Sequence, residues 1–346
     1  MIDETGAVLA SGSFAWENKP ISETVWTYDL ADARTGLAAA YAACADDYAA
    51  KFGSRPARFD AMGVSAMMHG YIVFDRAMNQ LAPFRTWRST NAAQAGAELS
   101  AMFDFNVPIR WSIAQLYQSV LDGETHVKDI AFQTTLAGYI HFLLTGRKVL
   151  GVDDASGMFP IDSATKDYDA KMVSVFKEKT GIDVTAIFPK PLVAGMEAGV
   201  LTDDGAKLLD PSGTLKAGIP ICPPEGDGGT GMVATNWISA EPLAGVEKPF
   251  PYLTHTSEAH LTRANIIRAE LKAVFATLVK GMEILRAEGV YPKSLIGHGG
   301  LFKTPGVAEK ILSDMLGIPV TTRATAGEGG AWGIARLASI SVTSPE

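Results

Sequence analysis

Short apolar runs that end in glycine alternate along this chain with longer stretches of helical period, and that alternation restricts it to sheets covered by helices. Phe59–Met68 is one such run, closed by His69-Gly70, and Tyr71–Phe74 follows as a second strand. Leu295-Ile296 leads into Gly297-His298-Gly299-Gly300, and Ile318–Thr322 reads as another strand. Between Thr262 and Gly289, apolar residues at Ile267, Leu271, Val274, Leu278, Met282 and Leu285 recur every three or four positions, the clearest helix in the sequence. A second helix is expected between a cap at Asp29 and a stop at Gly53, with Leu37, Tyr41, Cys44, Tyr48 and Phe52 as its buried face. Thr90–Leu144 reads as helical with breaks at Pro108 and Gly123, and Gly151–Gly157 reads as a loop. Thr304-Pro305 opens a helix that Gly317 closes, a last helix starts near Glu328, and residues 7–16 read as an extended strand.

The chain has 346 residues, enough for two domains at about 150 residues each. Apolar residues make up 47% and charged residues 20%, so a packed core is expected rather than a disordered chain. The net charge is −8 and the lysines and arginines form no stripe, which argues against nucleic acid as a partner. Neither a membrane-spanning apolar run nor the basic and apolar regions of a secretory signal occur, so a cytoplasmic protein is expected. The two cysteines, Cys44 and Cys222, are too few for a disulfide framework and lack zinc spacing, and His255 and His260 have no third ligand nearby.

Chemistry is expected where glycines bare the backbone. The clusters are Gly226-Asp227-Gly228-Gly229-Thr230-Gly231, Gly297–Gly300 and Gly327–Gly330, and none has the spacing of a P-loop or of the dinucleotide fingerprint. Asp227 stands among glycines just past the apolar Ile219-Pro220-Ile221, where a carboxylate can accept a proton from a hydroxyl; it can equally serve the turn by bonding its own backbone. His69 lies at a loop edge, placed to donate to a ligand hydroxyl or to act as a structural histidine. Trp87, between Arg85 and Arg88, fits a core position or a polar pocket.

In this order the pieces resemble the FGGY carbohydrate kinases, which include xylulokinases, ribulokinases, fuculokinases and glycerol kinases. The resemblance rests on Val64–Gly70 with its Met68-His69-Gly70 ending, on Phe84-Arg85-Thr86-Trp87, and on Leu143–Gly146 followed by Asp154-Ala155-Ser156-Gly157. It continues through Gly226-Asp227-Gly228 and through Gly299-Gly300-Leu301 to Asp314, Gly317, Pro319 and Val320. The family implies two actin-like (ribonuclease H-like) α/β domains flanking a cleft that takes ATP with Mg2+ and a sugar. The division implied is a sugar-binding domain over 1–215 and a shortened nucleotide-binding domain over 216–346. Carried over, Asp227 is the catalytic base, Met68, His69 and Trp87 contact the sugar, and Gly228, Gly229, Gly299, Gly300 and Leu301 hold the nucleotide. The expected substrate is a ketose or related polyol, and a homodimer is an expectation.

Three departures from the family pattern stand out. On this resemblance the family's first phosphate loop is expected to be absent, since Met1-Ile2-Asp3 aligns just after it, a block is expected to be absent after Asn236, and Ser89 and Asn91 stand where many relatives have Asp and Arg. A rival expectation is therefore a catalytically silent actin-like sugar-binding or regulatory protein that keeps the pocket.

Overall fold

The computed structural model describes residues 1–5, 7–227, 263–297, 300–322 and 329–343. These fall into two compact units, Met1–Thr230 with Gly330–Glu346, and Gly231–Gly329.

In the first unit the helix Leu30–Phe52 begins and ends where its caps require. The Asp29 carboxylate accepts from the Ala31 N–H, and Gly53 takes φ 88° to send its own N–H back to the Ala49 carbonyl. Its buried face is not the expected one. Leu30, Ala33, Gly36 and Ala45 are buried, Leu37 and Tyr41 pack partly against the core, and Phe52 is 53% exposed.

Residues 7–16 are extended but do not join a sheet, contrary to the sequence expectation. Val8 bridges Ile2, and beyond it the backbone is taken by side chains of the helix: Ser11 N–H donates to Asp47, and Lys51 donates to the Leu9 carbonyl. Backbone groups paired this way need no neighbouring strand.

Four strand segments lie side by side beneath the site. Ser65–Ala66 pairs in parallel with Glu225–Gly226, and a bridge from Met62 to Ile221 extends that pairing. Gly151 N–H donates to the Pro224 carbonyl at 2.7 Å, which brings in Val149–Gly151, itself parallel to Lys190–Leu192. The ends of these strands therefore gather residues that are far apart in sequence.

Within Thr90–Leu144 the helices are Ala93–Phe103, Ser112–Leu121 and Leu136–Thr145, with a single 3-10 turn at Thr125–Asp129. Phe132–Thr134, expected as helix, is instead a strand antiparallel to Ile72–Phe74. All six residues of this pair are buried, and stacking of Phe74 on Phe132 at 6.1 Å is the cross-strand contact that outweighs local propensity. Gly151–Gly157, expected as a loop, holds the short helix Val152–Ser156.

The second unit contains the helix Arg263–Ala287, as its periodicity predicts, with Phe275 and Met282 buried. Leu295–Gly297 pairs in parallel with Val320–Thr322. The helix expected from Thr304-Pro305 starts later, at Val307 after Gly306, and Gly317 ends it at φ 71°. Gly329–Thr343 is the last helix and belongs to the first unit, where Ile334 and Ala338 are buried with Cys222. No helix among the described residues is long and apolar enough to cross a membrane.

Candidate active site

The strand Ser65–Ala66 ends in Met67-Met68-His69-Gly70, and its neighbour Glu225–Gly226 ends at Asp227. Parallel pairing carries both ends to the same edge, and there Asp227 Oδ1 accepts from the Met68 N–H at 2.9 Å. The contact spans 159 residues of sequence, so the Asp227 carboxylate is bound to another loop and not only to its own turn. Asp227 is exposed while Glu225 and Gly226 before it are buried, so the chain emerges from the core at the carboxylate.

His69 adopts φ 63°, a conformation that costs a non-glycine residue about 1–2 kcal/mol. The turn brings its Nδ1 to 3.1 Å from the Gly157 carbonyl. A carbonyl can only accept, so Nδ1 carries the proton. Burial, aided by the nearby Arg110 charge and opposed by the bond to Gly157, lowers the ring pKa to about 4. The imidazole is neutral at pH 7, and its Nε2 then offers a lone pair. The sequence suggested a donor to a ligand hydroxyl; the geometry makes the outer nitrogen an acceptor.

Gly157 leaves the room this contact needs. A methyl group there would stand 2.8 Å from His69 Nδ1 and 3.1 Å from Met68 Cε, although the local backbone, at φ −81°, accepts any residue. Gly157→Ala is therefore expected to cost about 1–3 kcal/mol by overpacking, read as a lower melting temperature. An unchanged melting temperature would show that His69 swings aside freely and is not fixed by Gly157.

Trp87 is 41% exposed on a segment that is well anchored on both sides. Tyr71 bridges Arg85, Thr86 N–H donates to the Trp26 carbonyl, and the Arg88 guanidinium lies 3.8 Å over the Trp26 ring. Buried Ser89 serves this scaffold by accepting from the Trp26 N–H at 3.1 Å. Arg85, buried, forms a two-pronged pair with Glu124 and also donates to Ser119 at 2.9 Å.

In the second unit Gly300 begins the 3-10 turn Gly300–Lys303, and Leu301 packs partly against that unit's core. Gly228, Gly229 and Gly299 lie outside the described residues, as do His255, His260 and the segment after Asn236.

Sequence reasoning missed Glu225 and Asp154, two buried carboxyls directly behind Asp227. The charged Glu225 after Pro223-Pro224 was the available signal; Asp154 entered only as part of the Asp154-Ala155-Ser156-Gly157 motif, with no role of its own.

The strand ends thus hold the Asp227 carboxylate on the Met68 N–H and the neutral His69 ring on the Gly157 carbonyl. Residues 1–234 match the N-terminal domain of the FGGY family of carbohydrate kinases, and residues 231–342 match its C-terminal domain. The chain belongs to this family, and it has the family's two-domain, actin-like α/β fold. Its fold is similar to that of a xyloylose kinase from Brucella ovis, at 16% identity and a TM-score of 0.76, over 100% of this chain and 88% of that one. The xylulose kinase from Rhodospirillum rubrum is similar at 19% identity and a TM-score of 0.73, over 94% of this chain and 84% of the other. The gluconate kinase from Lactobacillus acidophilus is similar at 14% identity and a TM-score of 0.73, over 99% and 86%. No curated protein matches the sequence significantly.

Proposed function

We propose that this carbohydrate kinase transfers the terminal phosphoryl group of ATP to a hydroxyl of a ketose or related polyol, with Asp227 as the base. The observation that carries this is the hydrogen bond from Met68 N–H to Asp227 Oδ1 at 2.9 Å, which ties an exposed carboxylate to the loop that carries Met68 and His69. Phosphoryl transfer asks a protein mainly to align donor and acceptor and to stabilise charge. Asp227 orients the attacking hydroxyl and takes its proton as the oxygen–phosphorus bond forms. His69 Nε2 accepts from a second sugar hydroxyl, Met68 lines the same side, and the exposed Trp87 ring gives the sugar an apolar face to rest on.

Among the described residues no three His, Cys, Asp or Glu side chains are arranged to hold a metal. Magnesium enters this reading with the nucleotide, as MgATP. Gly228, Gly229, Gly299, Gly300 and Leu301 are the residues proposed to receive that nucleotide, in a cytoplasmic enzyme supplied with ATP.

An assay of ADP release with MgATP over a panel of ketoses, polyols and sugar acids tests the proposal. Release stimulated by one sugar supports it. Sugar binding by calorimetry with no ADP release for any sugar would instead favour the silent sugar-binding protein.

A further inference from the structure

Behind the Asp227 loop lies a buried carboxyl pair that the proposed reaction leaves unused. Glu225 stands on the strand end just before Asp227, and its Oε2 accepts from the Asp154 N–H at 3.3 Å. Its head group lies flat over Gly151, where any side chain would overlap the carboxyl carbon and both oxygens. Asp154, on the helix Val152–Ser156, is completely buried. Its Oδ2 accepts from the Thr135 hydroxyl at 2.6 Å, and its Oδ1 has no hydrogen-bond partner.

The groups that face this pair are the Asp153 and Asp227 carboxylates, with the Cys222 thiol near Glu225 and the Tyr168 hydroxyl near Asp154. Two ionised carboxyls in this space would repel each other and Asp227, and burial would penalise both. Burial, with repulsion from Asp153, accordingly raises Glu225 to about 7, and burial raises Asp154 well above the usual carboxylate range.

We propose that Glu225 is a positioning residue for Asp227: its carboxyl, seated over Gly151 and tied to the Asp154 N–H, locks the strand end to the short helix and so keeps the Asp227 carboxylate on the Met68 N–H. The neutral form does this best, because ionised Glu225 pushes against the neighbouring Asp153 carboxylate. The inference rests on the proposed function only for what Asp227 is used for; the locking itself is independent of turnover.

Hydrogen exchange at the Met68 amide in the full chain, read by mass spectrometry, tests it directly. Glu225→Gln, a permanent mimic of the neutral form, is expected to keep Met68 protected at about pH 6 and at about pH 8 alike, whereas the parent loses protection over that interval, after correction for intrinsic rates. Glu225→Ala is expected to exchange Met68 about 10-fold faster while amides of the helix Ala93–Phe103 keep the parent rate. Parent-like protection of Met68 in Glu225→Ala, or the same pH response in Glu225→Gln and the parent, would overturn the proposal. Should Glu225→Ala fail to fold, the comparison of the parent with Glu225→Gln decides alone. In the kinase assay the same role predicts a lower kcat for Glu225→Ala with little change in sugar KM, restored in Glu225→Gln. Absence of turnover in every chain, the parent included, would count against the proposed function, and the exchange result would still decide the positioning role.

Discussion

Asp227→Asn is expected to lower turnover by about 10²–10⁴-fold, the usual contribution of general acid–base catalysis, with sugar affinity close to that of the parent. The asparagine carbonyl can still accept from the Met68 N–H, so the loop contact at 2.9 Å survives the exchange and the fold around it is retained. What is lost is the group that takes the proton from the sugar hydroxyl. Steady-state kinetics on the best sugar, alongside calorimetric binding of the same sugar, separates the two effects. Equal turnover in Asp227→Asn and the parent would reduce Asp227 to a residue that holds the Met68 loop in place.

Mild acid is expected to strip stability from this protein through His141, buried in the helix Leu136–Thr145. Its Nε2 donates to the Ala198 carbonyl at 3.0 Å, and its Nδ1 is buried with no partner. Burial, with a smaller push from Arg147 and against the bond to Ala198, lowers its pKa from 6.5 to about 4. A histidine depressed in this way is neutral in the folded chain and takes up its proton more readily once unfolded. Its stabilising contribution is thus complete above pH 6.5 and is lost as the pH falls towards about 4. At 1.36 kcal/mol per pH unit the loss is about 3 kcal/mol, a large share of the 5–15 kcal/mol that usually holds a domain folded.

His69 works in the same direction, discounted for its partial exposure, and Glu225 works against both. Its raised pKa stabilises the folded chain below its unfolded value of about 4.5, a contribution lost as the pH rises towards 7. A comparison of variants removes that overlap. His141→Gln keeps an N–H for Ala198 and cannot titrate, so urea unfolding should show the parent losing about 3 kcal/mol more than the variant between pH 6.5 and 4. Parallel pH dependences would show that His141 charges in the folded state without penalty.

The parts of the fold that were legible in the sequence are those set by chemistry close along the chain. Asp29 caps a helix because its carboxylate reaches the N–H of Ala31, and Gly53 ends it because glycine accepts the left-handed turn. The helix Arg263–Ala287 was equally clear, since its apolar spacing is a property of the sequence itself. The strand Phe132–Thr134 was not legible, because its partner is Ile72–Phe74, some 60 residues away, and local propensity carries no record of the pairing. Residues 7–16 misled for the matching reason: β-prone residues make a strand only where another strand is free to take their backbone bonds.

The site divides along the same line. The sequence by itself determined the family, from motifs such as Met68-His69-Gly70 and Gly226-Asp227-Gly228 in fixed order, and it singled out Asp227, since glycines on both sides leave a carboxylate uncovered. Only the tertiary structure decided that the Asp227 carboxylate meets Met68, that His69 is neutral with its outer nitrogen an acceptor, and that Glu225 and Asp154 share a buried space behind them. The physical reason is that a protonation state is set by burial and by the charges within a few ångströms. Folding brings those neighbours together from 71, 88 and 159 residues apart.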